Sequence, residues 1–345
     1  MHTAYVSTAA LRNAPRSEIV RLQAELTDRT VEIATQRHAD VGLALGSDTG
    51  RTVGTRMDLG LVETLLISNG SATARMEQTQ TALADLETIA SEMLASMVAL
   101  PPGNAAATTL SIQAFSSLDR FSDRLNASDG GSYLFGGQKS DMRPVERFDN
   151  GPQAAIEAAF TTKFGFPPSD PLAETITVTD MQDFLANEFA DLFTLANYTG
   201  TWSHASSDRM VSRISPSERI PTSVTANEEA MRTIAMSFSM IAGLNFEGLN
   251  QEVRNAVVAE ARIVMGTGIT QVVSLKSMLG FAENAVAKAN ERMSLSRDIL
   301  RTKIADLEGA DPVEAKVRID LITTQIEMSY ALTNQLSRMS ILNYA

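Results

Sequence analysis

Residues 59–100 read LGLVETLLISNGSATARMEQTQTALADLETIASEMLASMVAL and contain no proline. Apolar and small residues recur in alternating steps of three and four, with one extra step of three after Met76. Such spacing predicts one long helix that packs along a coiled-coil seam and is locally overwound at the extra step. The predicted seam consists of Leu59, Val62, Leu66, Asn69, Thr73, Met76, Thr79, Leu83, Leu86, Ala90, Met93, Met97 and Leu100.

Two prolines and a glycine at 101–103 predict the end of this helix, and Asn104 is the expected N-cap of the next one. The next helix carries Ala114, Leu118, Phe121 and Leu125 on one face. Because the connection is short, we expect the two helices to form an antiparallel pair.

The C-terminal half returns to the same spacing. Gly309 predicts the end of that helix, and the segment Asp311-Pro312-Val313-Glu314 predicts a restart with an N-cap and a proline in the first turn. The predicted seam consists of Leu275, Leu279, Ala282, Val286, Ala289, Met293, Ser296, Leu300 and Leu307.

Both ends of the chain carry weaker heptad patterns, in which polar residues occupy some seam positions. Residues 41–50 (VGLALGSDTG) predict a joint between two helical segments. The last helix is apolar on more than one side, so an isolated helix pair would leave part of that surface in water. Either this surface is buried within the same chain, or the two ends become ordered against neighbouring copies. The predicted assembly interface consists of Ile19, Leu22, Leu26, Ile33, Ile319, Ile322, Ile326, Leu336 and Leu342.

The composition changes between residues 144 and 221, which hold the single tryptophan and several phenylalanines. This segment predicts a helix from Asp180 to Asn197, capped by Thr179 or Asp180, and short strands within residues 209–224. We therefore expect a small α+β insertion with its own core. Asn227 is the predicted N-cap of a further helix that ends at Gly243.

Together these patterns predict a mainly α protein. Long antiparallel coiled-coil helices are built from both termini, with a small α+β insertion domain in the middle. The expected division is 1–45 plus 309–345 as terminal coiled-coil assembly segments, 46–143 plus 222–308 as a helical rod domain, and 144–221 as a variable, surface-exposed domain.

Charge and composition exclude several classes of function. The formal charge of −12 argues against a nucleic-acid partner, because phosphate binding requires a cationic surface. There are no cysteines, which excludes disulfides and thiolate chemistry. Membrane-length apolar runs are not expected, and the first residues do not resemble a cleaved secretory signal.

The sequence also gives no active site. The three histidines lie far apart without a ligand-spaced partner, and no phosphate-binding loop or nucleophile elbow occurs. We therefore expect no enzyme activity, no cofactor and no metal.

One motif stands out between the rod helices and the insertion: residues 129–141 read DGGSYLFGGQKSD. Its glycines permit positive φ, so the stretch predicts a tight hairpin that closes over the end of a helix pair. The motif also resembles the N-G-x-Y-L-F-x-G-x-K-x-D stretch of the flagellar hook–filament junction proteins, the third hook-associated proteins of the flagellin-like superfamily. The matching residues are Gly131, Tyr133, Leu134, Phe135, Gly137, Lys139 and Asp141.

The C-terminus is similar to the S-x-L-N/D-Y ending of the same family, through Ser340, Leu342, Asn343 and Tyr344. The joint departs from the family, since TQRHADVGLALGSDTG stands where the family often has S-T-G-K-R-x-x-x-P-S-D-D.

The resemblance implies an extracellular structural protein of the bacterial flagellum, exported through the flagellar secretion system without a cleaved signal peptide. The implied partners are other copies in a ring, the first hook-associated protein, flagellin, the export apparatus and an export chaperone.

Two alternatives stay open. The chain could be a flagellin that forms the filament itself. It could also be a flagellin-like surface protein whose insertion binds a ligand such as a polysaccharide through Trp202, Tyr198 and the phenylalanines.

Overall fold

In a computed structural model, the described residues are 8–99, 101 and 103–342. They form ten α-helices. These are α1 (Thr8–Thr35), α2 (Val41–Leu45), α3 (Thr49–Val98), α4 (Asn104–Leu125), α5 (Pro152–Phe164), α6 (Val178–Phe184), α7 (Leu195–Thr201), α8 (Glu229–Ala242), α9 (Gln251–Glu308) and α10 (Pro312–Leu342).

Two small antiparallel hairpins, three short 3₁₀ helices and one π-helical turn complete the described structure. The strands β1 (Ser128–Asp129) and β2 (Ser132–Tyr133) pair with each other, and β3 (Val211–Arg213) pairs with β4 (Arg219–Pro221). The expectation of short strands within residues 209–224 is confirmed. The mainly α fold class is confirmed as well, since the strands contribute only these two hairpins to the described chain.

The seam predicted in α3 is confirmed by burial. The seam residues Leu59, Leu66 and Thr73 are half-buried, and Leu100 lies outside the described residues. The fully buried ones are Val62, Asn69, Met76, Thr79, Leu83, Leu86, Ala90, Met93 and Met97.

Helices α3 and α4 run antiparallel, as the short connection predicts. Arg124 pairs with Asp85 at 2.9 Å, and Arg120 pairs with Glu92 at 3.0 Å. Since the partner number on α3 falls as the number on α4 rises, the two directions are opposite. The predicted face of α4 is buried at Ala114, Leu118, Phe121 and Leu125.

By its internal contacts the chain divides into two compact units. Unit 1 contains the described residues up to Thr64 and from Met293 onward, and unit 2 contains Leu65–Arg292. Both boundaries fall inside the long helices α3 and α9, so each of these helices contributes to both units. The three-part division expected from the sequence remains a prediction.

In unit 1, helix α1 packs against α10. The side chains of Arg318 and Glu25 pair at 3.1 Å, and the Gln23 amide donates to the Tyr330 hydroxyl at 3.3 Å. The two ends of the sequence are thus paired within one chain, as the heptad patterns predict. The restart at α10 is also confirmed, since Asp311 Oδ1 accepts from the Val313 amide at 2.8 Å.

In unit 2, α3 and α9 are antiparallel, since Gln80 of α3 bonds the Lys276 carbonyl whereas Asn69 bonds the later residue Asn290, in a part-buried polar contact. Asn69 Nδ2 donates to Asn290 Oδ1 at 2.7 Å and to the Ile214 carbonyl at 2.9 Å. The second bond ties the β3–β4 turn to the helix pair. Asn69 is buried at a seam position, and such a residue favours one register over its neighbours, because a shifted register would leave its amide unpaired.

The core of unit 2 is continuous, so the expectation of a separately cored insertion is wrong. Phe148 contacts Phe115 of α4 and Trp202, with ring centroids 5.7 Å and 5.8 Å apart. A single buried cluster joins the rings of the 144–221 segment to α3, α4, α8 and α9. The insertion lacks a separate core because its aromatic side chains pack onto the long helices as well as onto one another.

Four local predictions are corrected by the structure. The helix expected over 180–197 is interrupted by a π-helical turn at Leu185–Phe189 and a bend before α7. Its N-cap is Thr177, whose hydroxyl accepts from the Asp180 amide. Gly103 and Glu228 occupy the N-cap positions expected for Asn104 and Asn227. The Asn227 amide instead donates to the Ala205 carbonyl at 2.9 Å, whereas Gly243 ends α8 as expected.

By length and composition, α9 could cross a membrane, and it is the only helix in the described part of the chain that meets this test. No apolar run of membrane length is predicted from the sequence, so this prediction differs from the finding for α9. Core helices of soluble proteins meet the same test, and Val257, Ala261 and Met265 of α9 lie in the core of unit 2.

Candidate assembly surfaces and the motif loop

The motif loop, residues 129–141, begins as the predicted hairpin. Ser128 pairs with Tyr133 and Asp129 pairs with Ser132 across the turn. Gly130 and Gly131 form the turn with φ values of 56° and 90°. Because side chains disfavour positive φ, glycine at both positions permits this two-residue connection.

The three large residues after the turn are built into unit 2. Leu134 and Phe135 are buried, and Tyr133 is half-buried. The Leu134 amide donates to the Ala127 carbonyl at 2.9 Å, and the Phe135 carbonyl accepts from the Ala226 amide at 2.9 Å. This part of the motif therefore joins the end of α4 to the segment before α8.

Gly137 continues the loop at a point with no room for a side chain. Its φ is 60°, and a Cβ there would lie 2.6 Å from the Asp208 carbonyl oxygen and 2.8 Å from that of Ser206. The neighbouring Gln138 amide donates to the same Asp208 oxygen at 3.2 Å. Lys139 and Asp141, which follow, are exposed, as is Asp129 at the start of the loop, so another molecule could contact these charged residues.

Arg75 of α3 fixes the motif loop through hydrogen bonds from its guanidinium, a role that was not predicted from the sequence. Its guanidinium donates to Ser132 Oγ at 2.9 Å and to the Tyr133 carbonyl at 2.5 Å. Burial lowers the pKa of this arginine, and the charge of Asp129 partly opposes the shift. No seam pattern marks Arg75, because the contact is made across 58 residues of sequence.

The predicted assembly residues lie mostly along the α1–α10 contact. Ile19, Leu22 and Ile322 are buried. The half-buried members are Leu26, Ile33, Ile319 and Ile326. The side chains of Leu336 and Leu342 lie outside the described residues, as does Tyr344 of the C-terminal motif. These residues pair the terminal helices within one chain, and their role between copies remains a prediction.

Exposed apolar side chains lie on the outer faces of α1 and α10 in unit 1. Leu321 is 52% exposed and Leu332 is 58% exposed, although both face water in this single chain. Large apolar surfaces of this kind mark interaction sites in soluble proteins. The outer apolar residues of α1 and α10 are Val20, Val31, Val313, Val317, Leu321, Met328, Tyr330 and Leu332.

A buried carboxylate, that of Glu308 at the end of α9, joins Arg37 and Arg56 in unit 1. The side chain of Glu308 is 1% exposed and accepts from Arg56 Nε at 2.6 Å and from Arg37 Nη2 at 2.6 Å. The hydrogen bond from Arg56 holds the pKa of Glu308 below its ordinary value, against the opposing effect of burial. The backbone is paired here too, since the His38 amide donates to the Glu308 carbonyl at 2.9 Å. The glycine-bearing stretch at 41–50 predicts a joint between two helical segments, but it does not predict this cluster.

The aromatic residues of the insertion form core, which rules out the alternative in which Trp202 and Tyr198 form a polysaccharide-binding surface. Trp202 is 2% exposed, and Tyr198 is fully buried and stacked on it at 5.8 Å. Burial accordingly raises the pKa of the Tyr198 hydroxyl. A sugar could reach neither ring without unfolding this part of unit 2.

Long paired helices of this kind are typical of helical structural proteins. Residues 6–140 match the family model described as the bacterial flagellin N-terminal helical region. Residues 263–345 match the model described as the bacterial flagellin C-terminal helical region. The chain is therefore a flagellin-like protein, a structural component of the flagellum that is exported from the cell.

Other comparisons are more distant. No curated protein matches the chain. Among solved structures, a candidate flagellar hook-associated protein from Vibrio parahaemolyticus is 12% identical and has a TM-score of 0.39. That likeness covers 76% of this chain and 94% of the other. A score of this size does not establish a shared fold, so the classification depends on the two family models.

Proposed function

We propose that this protein is a ring-forming adaptor that joins the flagellar hook to the filament. The observation that carries this proposal is the motif loop, whose Gly-x-Tyr-Leu-Phe-x-Gly-x-Lys-x-Asp pattern at residues 131–141 resembles that of the hook–filament junction proteins. The partners would be further copies of the chain, the first hook-associated protein and flagellin. An export chaperone and the export apparatus would act before assembly.

The outer apolar surface of unit 1 supports assembly, because burying it against neighbours would stabilise a polymer. At about 25 cal/mol per Å² of apolar area, even a few such side chains per contact favour association by several kcal/mol before its entropic cost. No reaction is required of such an adaptor. Its function is mechanical, and its terminal helices would carry the load between copies.

A flagellin that forms the filament is the second candidate, favoured by the match of both ends to flagellin models. Immunogold electron microscopy of intact cells separates the two candidates, with antibody raised against residues 144–221. We expect gold only where the hook meets the filament. Gold along the whole filament would overturn the adaptor proposal and establish the flagellin.

A further inference from the structure

A small cleft in unit 2 has no role in the assembly proposed above. It lies among α4, α5, the loop after α5 and the turn after α8, and it encloses about 250 Å³. Sites for drug-sized ligands measure roughly 300–1,000 Å³. The cleft therefore suits one amino-acid side chain better than a cofactor or an oligosaccharide. Its polar and aromatic lining consists of Ser111, Phe115, Gln153, Glu157, Ser169, Asn245 and Glu247.

Phe115 supplies an accessible aromatic surface in this cleft. Its ring packs edge-on against Phe148 at 5.7 Å, yet 40% of the residue is exposed. Most other rings of unit 2, including those of Phe121, Phe160 and Trp202, are fully buried. A half-open aromatic ring beside negative charge attracts organic cations through its electron-rich face.

The polar groups of the cleft are mainly acceptors. Glu157 receives one hydrogen bond from Gln153 at 2.9 Å, and Glu247 receives one from Thr108 at 2.6 Å. Asn245 donates its amide to the Pro168 carbonyl at 3.0 Å, which leaves its Oδ1 to accept. Each carboxylate keeps a second oxygen that accepts no hydrogen bond from the described residues. The site is therefore suited to a ligand that donates several hydrogen bonds.

The charge of the lining is unbalanced. Glu157 and Glu247 are its ionisable members, and no lysine or arginine lines it. Arg254 lies nearby, but its guanidinium is bound to the Glu247 backbone carbonyl at 3.1 Å and to the Gln251 side chain at 3.0 Å. The net field within the cleft therefore favours a cation.

A larger cleft between α3 and α4 provides the contrast. It encloses about 420 Å³ and is lined by Asp85, Asp123, Arg120 and Arg124 among others. Arg124 pairs with Asp85 across it, so charges of both signs are present and partly neutralise each other. That cleft has no preference for one sign of ligand.

We propose that the cleft at Phe115 binds the guanidinium group of an arginine side chain from another polypeptide. A guanidinium is planar, stacks on aromatic rings and donates five hydrogen bonds in a fixed fork, which matches one ring and several acceptors. A lysine ammonium offers a point charge without the stacking plane and fits the arrangement less well. The inference is independent of whether the protein works at the junction or in the filament.

The test titrates the ¹⁵N-labelled full chain with N-acetyl-L-arginine amide and follows backbone amides by NMR. We expect saturable shifts at Phe115, Glu157 and Asn245 with a millimolar dissociation constant. N-acetyl-L-citrulline amide, which has the same shape without the charge, should bind at least tenfold more weakly. Equal binding of the two probes, or shifts elsewhere only, would overturn the proposal.

Variants locate the site. Because both carboxylates are exposed, Glu157→Gln with Glu247→Gln should leave the fold intact and weaken binding at least tenfold. Asp123→Asn, a matched change in the charge-balanced cleft, should leave affinity within twofold. Unchanged affinity in the double variant contradicts the proposal. Free L-arginine binding tenfold more tightly than the capped probe would assign the cleft to a small molecule and exclude the polypeptide partner.

Discussion

Gly137 is the residue on which the geometry of the motif loop depends most directly. Gly137→Ala would add a Cβ within 2.8 Å of two backbone carbonyl oxygens in a left-handed conformation. The conformation alone costs about 1–2 kcal/mol, and forcing atoms into a filled site typically adds about 1–3 kcal/mol. We expect the free energy of unfolding of unit 2, measured in urea, to fall by roughly 2–5 kcal/mol.

Gly130→Ala is the matched control for this prediction. Gly130 also has a positive φ, of 56°, but nothing lies within 4 Å of the position of its Cβ. Only the conformational cost of about 1–2 kcal/mol applies there. Equal losses in the two variants would show that the carbonyls of Ser206 and Asp208 move aside and that the loop is less tightly held than its contacts indicate.

Glu308 makes the stability of unit 1 depend on pH. Its folded-state pKa is lowered, chiefly by the hydrogen bond from Arg56. Its stabilising contribution is therefore complete above the ordinary carboxyl pKa of about 4.3 and is lost as the pH falls through the lowered folded value. We expect Glu308→Gln to reduce the free energy of unfolding by about 1–3 kcal/mol at pH 7, as for other charged hydrogen bonds.

Denaturant unfolding from pH 7 to pH 3 measures this effect. The difference between wild type and Glu308→Gln should shrink below about pH 4.3, because the carboxyl of the unfolded wild type then takes up a proton, and the difference is lost once the pH passes the lowered pKa of the folded state as well. Glu327→Gln, at an exposed position of α10, should track the wild type at every pH. A difference that stays constant down to pH 3 would mean that the charge of Glu308 is not what stabilises the joint.

At the scale of elements, periodic patterns predicted the long helices well. The seams of α3 and α9 follow from spacing alone, because a buried stripe repeats every turn and local sequence encodes it. The hairpin of the motif loop was equally predictable, since its glycines lie where positive φ is needed. Predictions failed at the ends of helices, where a capping side chain can bond either the helix or a distant part of the chain. Asn227 has a side chain suited to an N-cap, yet its side-chain amide donates to the carbonyl of Ala205, 22 residues away.

The broken helix after Thr177 shows the same limit. Its sequence favours one helix to Asn197. In the structure the ring of Phe189 packs between two others, with centroid distances of 5.8 Å to Phe184 and 5.3 Å to Phe193. A π-helical turn inserts an extra residue per turn and so re-aims the side chains that follow it. Packing against the rest of the core decides where the turn falls, and no local signal marks it.

At the scale of the whole molecule, the outer apolar stripe of unit 1 leads to a prediction about assembly. Leu321→Asp with Leu332→Asp adds two charges to exposed positions of α10. The monomer should keep its helical content by circular dichroism, since neither side chain is buried in it. Incorporation into flagella should be lost, because burying unpaired charges in a subunit contact costs several kcal/mol. Immunogold labelling of cells that express the variant measures incorporation.

Gln325→Asp with Asn334→Asp provides the control, because it adds the same two charges at exposed polar positions of the same helix. We expect this variant to assemble and to support motility. Normal motility of the Leu321 and Leu332 variant would mean that the stripe is not an assembly surface. Loss in both variants would point to net charge and not to the apolar contact.

Sequence alone determined the class of this protein. Heptad spacing, the absence of cysteine, the acidic balance and the motif at 129–141 follow from residue order, because helix periodicity and turn chemistry are local properties. Only the tertiary structure decided that Trp202 and Tyr198 are core, that Arg75 holds the motif loop, and that Phe115 opens into an acidic cleft. Each of these features depends on residues that are distant in the chain and come into contact only on folding. Whether a side chain is buried is decided by these contacts and not by the sequence around it.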